Sequence, residues 1–175
     1  MAVFTVIDHT ELGASAVSFD VTSIPSSYDH LLIVASLRTD IANTLAINKL
    51  NFNGDTGSNY SDTQLQAATA TVTSGQNLAG RTYMRVGQVS GASLLANSFG
   101  VLKIWIPNYA NTTGNKQAIV QTAVENNEGT VDYWNLTHNA LMWDSTAAIT
   151  DIEISEPNVG MAQYSTFTLY GITGA

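Results

Sequence analysis

A chain of 175 residues is long enough for one domain with a buried core. Its 14 Asp and Glu against 6 Lys and Arg give a net charge of −8, so no cationic stripe exists to displace counterions from nucleic acid or to hold an anionic membrane. Charged residues make up only 11%, where about 25% is usual, and zero cysteines exclude disulfides and thiolate metal sites.

In chain order, Val3–Ile7 is the first strand candidate. The segment Met1-Ala2-Val3-Phe4-Thr5 before and within it lacks the basic and apolar parts of a secretion signal. Val17, Phe19 and Val21 alternate with Ser18 and Asp20, the period of a half-buried strand. The near-continuous apolar run Leu31–Leu37 predicts a strand buried on both faces. Ser61-Asp62-Thr63-Gln64 has the spacing of a helix capping box, and predicts one or two helical turns before Thr69, Thr71, Val72 and Thr73 end them. Arg81–Val89 is a further strand candidate. Leu102, Ile104 and Ile106 alternate with Val101, Lys103 and Trp105, and Pro107 stops that ladder because it has no N–H to donate. Ala118–Val124, Val131–Leu136 and Ile149–Ile154 follow, and Phe167 and Leu169 opposing Thr166, Thr168 and Tyr170 give a closing strand. Turns are expected at Asn53-Gly54, Ser74-Gly75, Thr113-Gly114-Asn115 and Asn126-Asn127-Glu128-Gly129.

Many short strands between Gly/Asn turns predict an all-β domain over residues 1–175: an antiparallel two-sheet sandwich, jelly-roll-like, with at most one short helix. No run reaches the roughly 18 apolar residues of a membrane helix. No repeat of 20 to 50 residues subdivides the chain.

Chemistry-bearing residues are scattered. His9 and His30 directly follow Asp8 and Asp29, but strand neighbours point to opposite faces and cannot form a carboxylate–imidazole pair without a turn. With His138 they also lack the short spacings of zinc ligands. Asn53, Asp55, Gly57 and Asn59 place oxygens at alternate positions as a calcium loop does, yet Gly57 sits at a ligand position and Gln64 stands where a bidentate Glu should close it. A turn is the better reading. Tyr109, Tyr133, Trp134 and Trp143 could stack on sugar rings, although aromatics in strands more often fill a core or an interface. No phosphate-cradling loop or nucleophile elbow is present. No residue is assigned to catalysis, a cofactor or a metal.

Five ordered stretches carry a likeness: Ile24-Pro25-Ser26-Ser27-Tyr28-Asp29-His30-Leu31, Phe52-Asn53-Gly54-Asp55-Thr56-Gly57-Ser58-Asn59-Tyr60-Ser61, Ile106-Pro107-Asn108-Tyr109-Ala110-Asn111, Trp143 to Thr150, and Ser165 to Ile172. From about Val17 to Ile172 the chain resembles a family of small structural proteins of tailed-bacteriophage virions. The resemblance implies a non-enzymatic virion component assembled in the bacterial cytoplasm. The expected place is the outside of the head, as a decoration or cement protein bound to the major capsid protein or another virion subunit and to copies of itself, three being the expected number. The alternative is a fibre component that contacts host glycans. A surface of Ser, Thr, Asn, Ala and Gly suits packing against copies or a lattice, since little self-repulsion or long side-chain entropy opposes it.

Overall fold

The computed structural model describes residues 1–68, 71–127, 134–156 and 158–174. Twelve strands run through them: β1 Val3–Glu11, β2 Ser18–Val21, β3 His30–Leu37, β4 Leu45–Phe52, β5 Tyr60–Ala68, β6 Thr71–Arg81, β7 Met84–Ser90, β8 Gly100–Pro107, β9 Lys116–Val124, β10 Asn135–Trp143, β11 Ile152–Ser155 and β12 Thr166–Thr173. They form an eight-stranded sheet, ordered β1-β12-β3-β8-β9-β10-β5-β6, and a four-stranded sheet, ordered β2-β11-β4-β7. All strand pairs are antiparallel.

The pairing is nested. β5 pairs with β6, β4 with β7, β2 with β11 and β1 with β12, each pair enclosing the one before it in sequence. This is the double Greek-key wrap of a jelly roll. The strands β8 and β9 widen the larger sheet between β3 and β10, and β1 with β12 extends it beyond β3. The expected sandwich is therefore the observed one.

The core lies between the sheets. Leu31, Ile33, Leu102, Ile104, Ile106 and Leu169 come from the large sheet; Phe19, Leu50, Phe52, Met84, Val86 and Ile154 come from the small one. Its far end, under β7, is polar instead. There Asn139 Nδ2–H donates to the Arg85 carbonyl (2.9 Å), and Asn135 Nδ2–H donates to Gln88 Oε1 (2.7 Å). The fully buried Asp62 carboxylate meets Arg85 at 3.3 Å. Gly87 permits this approach: a Cβ there would stand 2.6 Å from Thr122 Oγ1, and its φ of +92° suits glycine. Arg38 holds the 91–99 loop by donating to the carbonyls of Ala92, Leu94, Leu95 and Ser98 at 2.8–3.1 Å.

Five local expectations change, one of them at Arg81–Val89, where Arg81 ends β6 and β7 begins only at Met84. The segment from Ser61 is strand β5, because β10 and β6 flank it and satisfy its backbone on both sides, and tertiary pairing outweighs a local capping signal. Ser74-Gly75 lies inside β6 rather than at a turn. The run Leu31–Leu37 buries one face only: Leu31, Ile33, Ala35 and Leu37 are inward, while Val34 is 40% exposed. The strand expected at Ile149–Ile154 is shorter and starts at Ile152. Of Val131–Leu136 and the Asn126–Gly129 turn, residues 128–133 lie outside the described residues.

Candidate functional site

The residues singled out from sequence do not converge. His9 Nδ1 contacts Thr168 Oγ1 at 2.8 Å on β1, His30 Nδ1 accepts the Asn108 N–H at 3.2 Å, and His138 points outward from β10. Asn53-Gly54 is a turn with both residues at positive φ, +52° and +61°. The Asn53 amide ties it to the segment 148–151: Nδ2–H donates to the Ala148 carbonyl, and Oδ1 accepts the Thr150 and Asp151 N–H groups. Asp55 accepts N–H bonds from Gly57 (2.7 Å), Asn59 Nδ2 (2.9 Å) and Trp143 Nε1 (2.7 Å). Those bonds hold its carboxyl below the usual carboxylate range: the Asn59 amide contributes most, then the Trp143 indole, with burial opposing and the Gly57 N–H adding to them. Gln64 bonds Gln66 on β5, away from this loop. Among the described residues no group of three or more His, Asp or Glu side chains could hold a metal ion.

The aromatic candidates separate in the same way. Trp143 is 3% exposed and lies edge-on to Phe52 and near-parallel to Tyr60, so it fills the core and offers no ring face to a sugar. Tyr109 is fully buried and donates its hydroxyl to the Pro25 carbonyl. Trp134 is half-buried, and Tyr133 lies outside the described residues. Trp105 is the aromatic that sequence reasoning left unassigned, although its phase in β8, opposite to Leu102, Ile104 and Ile106, already placed it outward. It sits 5.0 Å from the His30 ring.

What the fold does assemble is a face. Outward residues of the large sheet lie in three rows set by the strand registers. One row runs Tyr170, Leu32, Trp105, Ile119, Ala140. Another runs Val101, Ala123, Leu136, Ala67, Val72. Between them lie Thr168, Val34, Lys103, Gln121, His138 and Leu65. Exposure of 49% at Ile119, 57% at Leu136 and 70% at Val72 shows that nothing among the described residues covers these rows. Two hollows of about 390 and 320 Å³ lie in the face, the first beside Lys103, Leu136 and His138, the second beside Trp105 and Ile119.

Charge divides the two outer surfaces. Across β12, β3, β8, β9, β10 and β5 no acidic side chain points outward, and Lys103 is the one charged residue that does. The outer surface of the small sheet carries Asp20, Lys49 and Glu153. At its end Asp151 joins Asp20 and Glu153 around a shallow hollow. A separate cleft of about 370 Å³ beyond β8 is lined by Asn108, Asn111, Thr113, Asn115 and Lys116. Lys116 Nζ–H donates to the carbonyls of Gly114 (2.8 Å) and Thr146 (3.1 Å), and burial lowers its pKa.

Compared with models of protein families, with curated proteins and with solved structures, the chain matches none. No helix among the described residues is long and apolar enough to cross a membrane.

Proposed function

We propose that this chain is a structural protein of a tailed-bacteriophage virion, carried on the outside of the head as a decoration or cement protein. It acts without catalysis, by contact with the major capsid protein or a neighbouring virion subunit and with copies of itself. The observation that supports this reading best is the two-sided sandwich: one broad, nearly uncharged and partly apolar face, and one charged face. Such a body has two kinds of surface with which to join a lattice, and large exposed apolar patches mark interaction sites. The ordered resemblance from about Val17 to Ile172 names the kind of lattice. Weak contacts repeated by symmetry oppose the outward pressure of packaged DNA without any single strong site. The net charge of −8 suits docking on a basic shell surface.

One observation favours a second reading, a fibre component that contacts host glycans. Outward Trp105 and the Asn/Thr-lined cleft beside Pro107 supply an aromatic ring and several amides at one end of the large sheet. One experiment separates the two. Particles made without the protein should adsorb to cells normally but release DNA at a lower temperature. Normal heat resistance together with failed adsorption would overturn the cement reading, and Trp105→Ala would then be expected to abolish attachment.

A further inference from the structure

We infer that the outer face of the eight-stranded sheet pairs with the same face of a second copy of this chain, about a two-fold axis running along β9. The inference rests on the packing role proposed above and names the partner of that face.

Charge selects the partner. Two copies of a chain with net charge −8 repel in most orientations. They can meet without carboxylates in contact through a surface free of outward acids, and the strands from β12 to β5 provide one. A basic capsid surface would instead be drawn to the acids Asp20, Asp151 and Glu153 on the other side. The face therefore fits a like-charged body better than an oppositely charged one.

Shape selects the axis. β9 is the middle strand of seven, β12-β3-β8-β9-β10-β5-β6, so a two-fold along it exchanges β8 with β10, β3 with β5 and β12 with β6. The strand registers then set the opposing residues. Trp105 comes over the second copy's Ala140, a large residue against a small one. Ile119 meets Ile119. Leu65 meets Val34, which are 55% and 40% exposed in the single chain. Gln121 meets Gln121, and an amide both donates and accepts, so it complements itself. Lys103 stands opposite His138 rather than another lysine, and its long stem lets the ammonium reach water at the margin.

Area is sufficient. Six strands at about 4.8 Å and three rows at about 6.8 Å span roughly 600 Å² in plan. Side-chain relief brings the accessible area near the ~800 Å² per partner of a standard interface. Packing of this kind also covers the outer side of Leu31–Leu37, whose sequence reads as a strand buried on both faces.

The test is the mass of the full chain in solution by sedimentation equilibrium. Twice 18.6 kDa is expected. Ile119→Asp and Leu136→Asp should each weaken association by about 100-fold, because every interface would bury two carboxylates, facing one another at Ile119 and each set against the second copy's Val101 at Leu136. Ile47→Asp, at a 39% exposed position on the small sheet's outer face, should leave the dimer intact. Melting curves confirm that each variant folds. The chain has no cysteine, so Gln121→Cys is a unique handle. A short bismaleimide should link two copies through it across the roughly 10 Å between facing sheets, while Ile47→Cys stays unlinked. A monomer at all concentrations, a trimer, or a dimer indifferent to Leu136→Asp would overturn the pairing. None of these readings depends on phage particles. Loss of the pairing with a retained particle phenotype would sink this inference alone, and the reverse would sink only the virion role.

Discussion

Asp55 joins three separate parts of the chain with one carboxylate. Its oxygens accept from Gly57 within the turn, from Asn59 beyond it and from Trp143 at the end of β10. Because these bonds favour the charged form, its folded pKa lies below its unfolded value. The stability it contributes is therefore fully present above the unfolded pKa and is lost as pH falls through the folded one. The melting temperature should decline on acidification below about pH 4. Asp55→Asn should start lower at neutral pH and lose less on acidification, with Trp143 fluorescence reporting the change. An Asp55→Asn variant whose acid limb matches the wild type would show that other carboxylates govern it. The turn itself was legible, since Asn-Gly favours positive φ. The Trp143 partner was not, because 88 residues separate it from Asp55.

At the level of elements, β12 sits inside the large sheet, paired with β1 on one side and β3 on the other. Phe167 is 1% exposed and stacks on Phe19 of the opposite sheet with ring centroids 5.5 Å apart. Removing that ring leaves a cavity at the contact between the two layers. Phe167→Ala should cost about 3–5 kcal/mol, measured by denaturant unfolding; an unchanged midpoint would mean that the sheets are held elsewhere. Gly171 in the same strand makes room for Tyr28, whose ring lies 2.3 Å from where a Cβ would be. Alternation identified β2, β8, β9 and β12 because each keeps one face in the core. It missed β4, β5 and β6. In β5 and β6 the reason is physical: Thr63 and Leu65 are exposed, as are all of Thr71–Gln76, so no apolar period marks them.

For the whole molecule, the arrangement of charge matters more than its amount. The acids lie off the outer face from β12 to β5, yet they still repel between paired copies at long range. Screening should therefore strengthen association. Raising salt from about 10 mM to about 150 mM shortens the Debye length from about 30 to about 8 Å, and the dimer should tighten several-fold by sedimentation. Weakening over that range would indicate an interface built on ion pairs, away from this face.

The sequence by itself determined the class. Strand-period alternation, Gly/Asn turns and the absence of any sustained helical period leave a two-sheet β protein, and zero cysteines with few basic residues remove whole categories of chemistry. Those signals are local, so they survive reading one segment at a time. The tertiary structure alone decided which strands are neighbours, and hence which outward residues share a surface. Val101, Ala123, Leu136, Ala67 and Val72 come from five strands and form one row only because the wrap places β8, β9, β10, β5 and β6 side by side. The polar seam at Asp62, Arg85, Asn135 and Asn139 has the same origin. A side chain's period shows that it faces out, but which strands stand beside it depends on contacts distant in sequence.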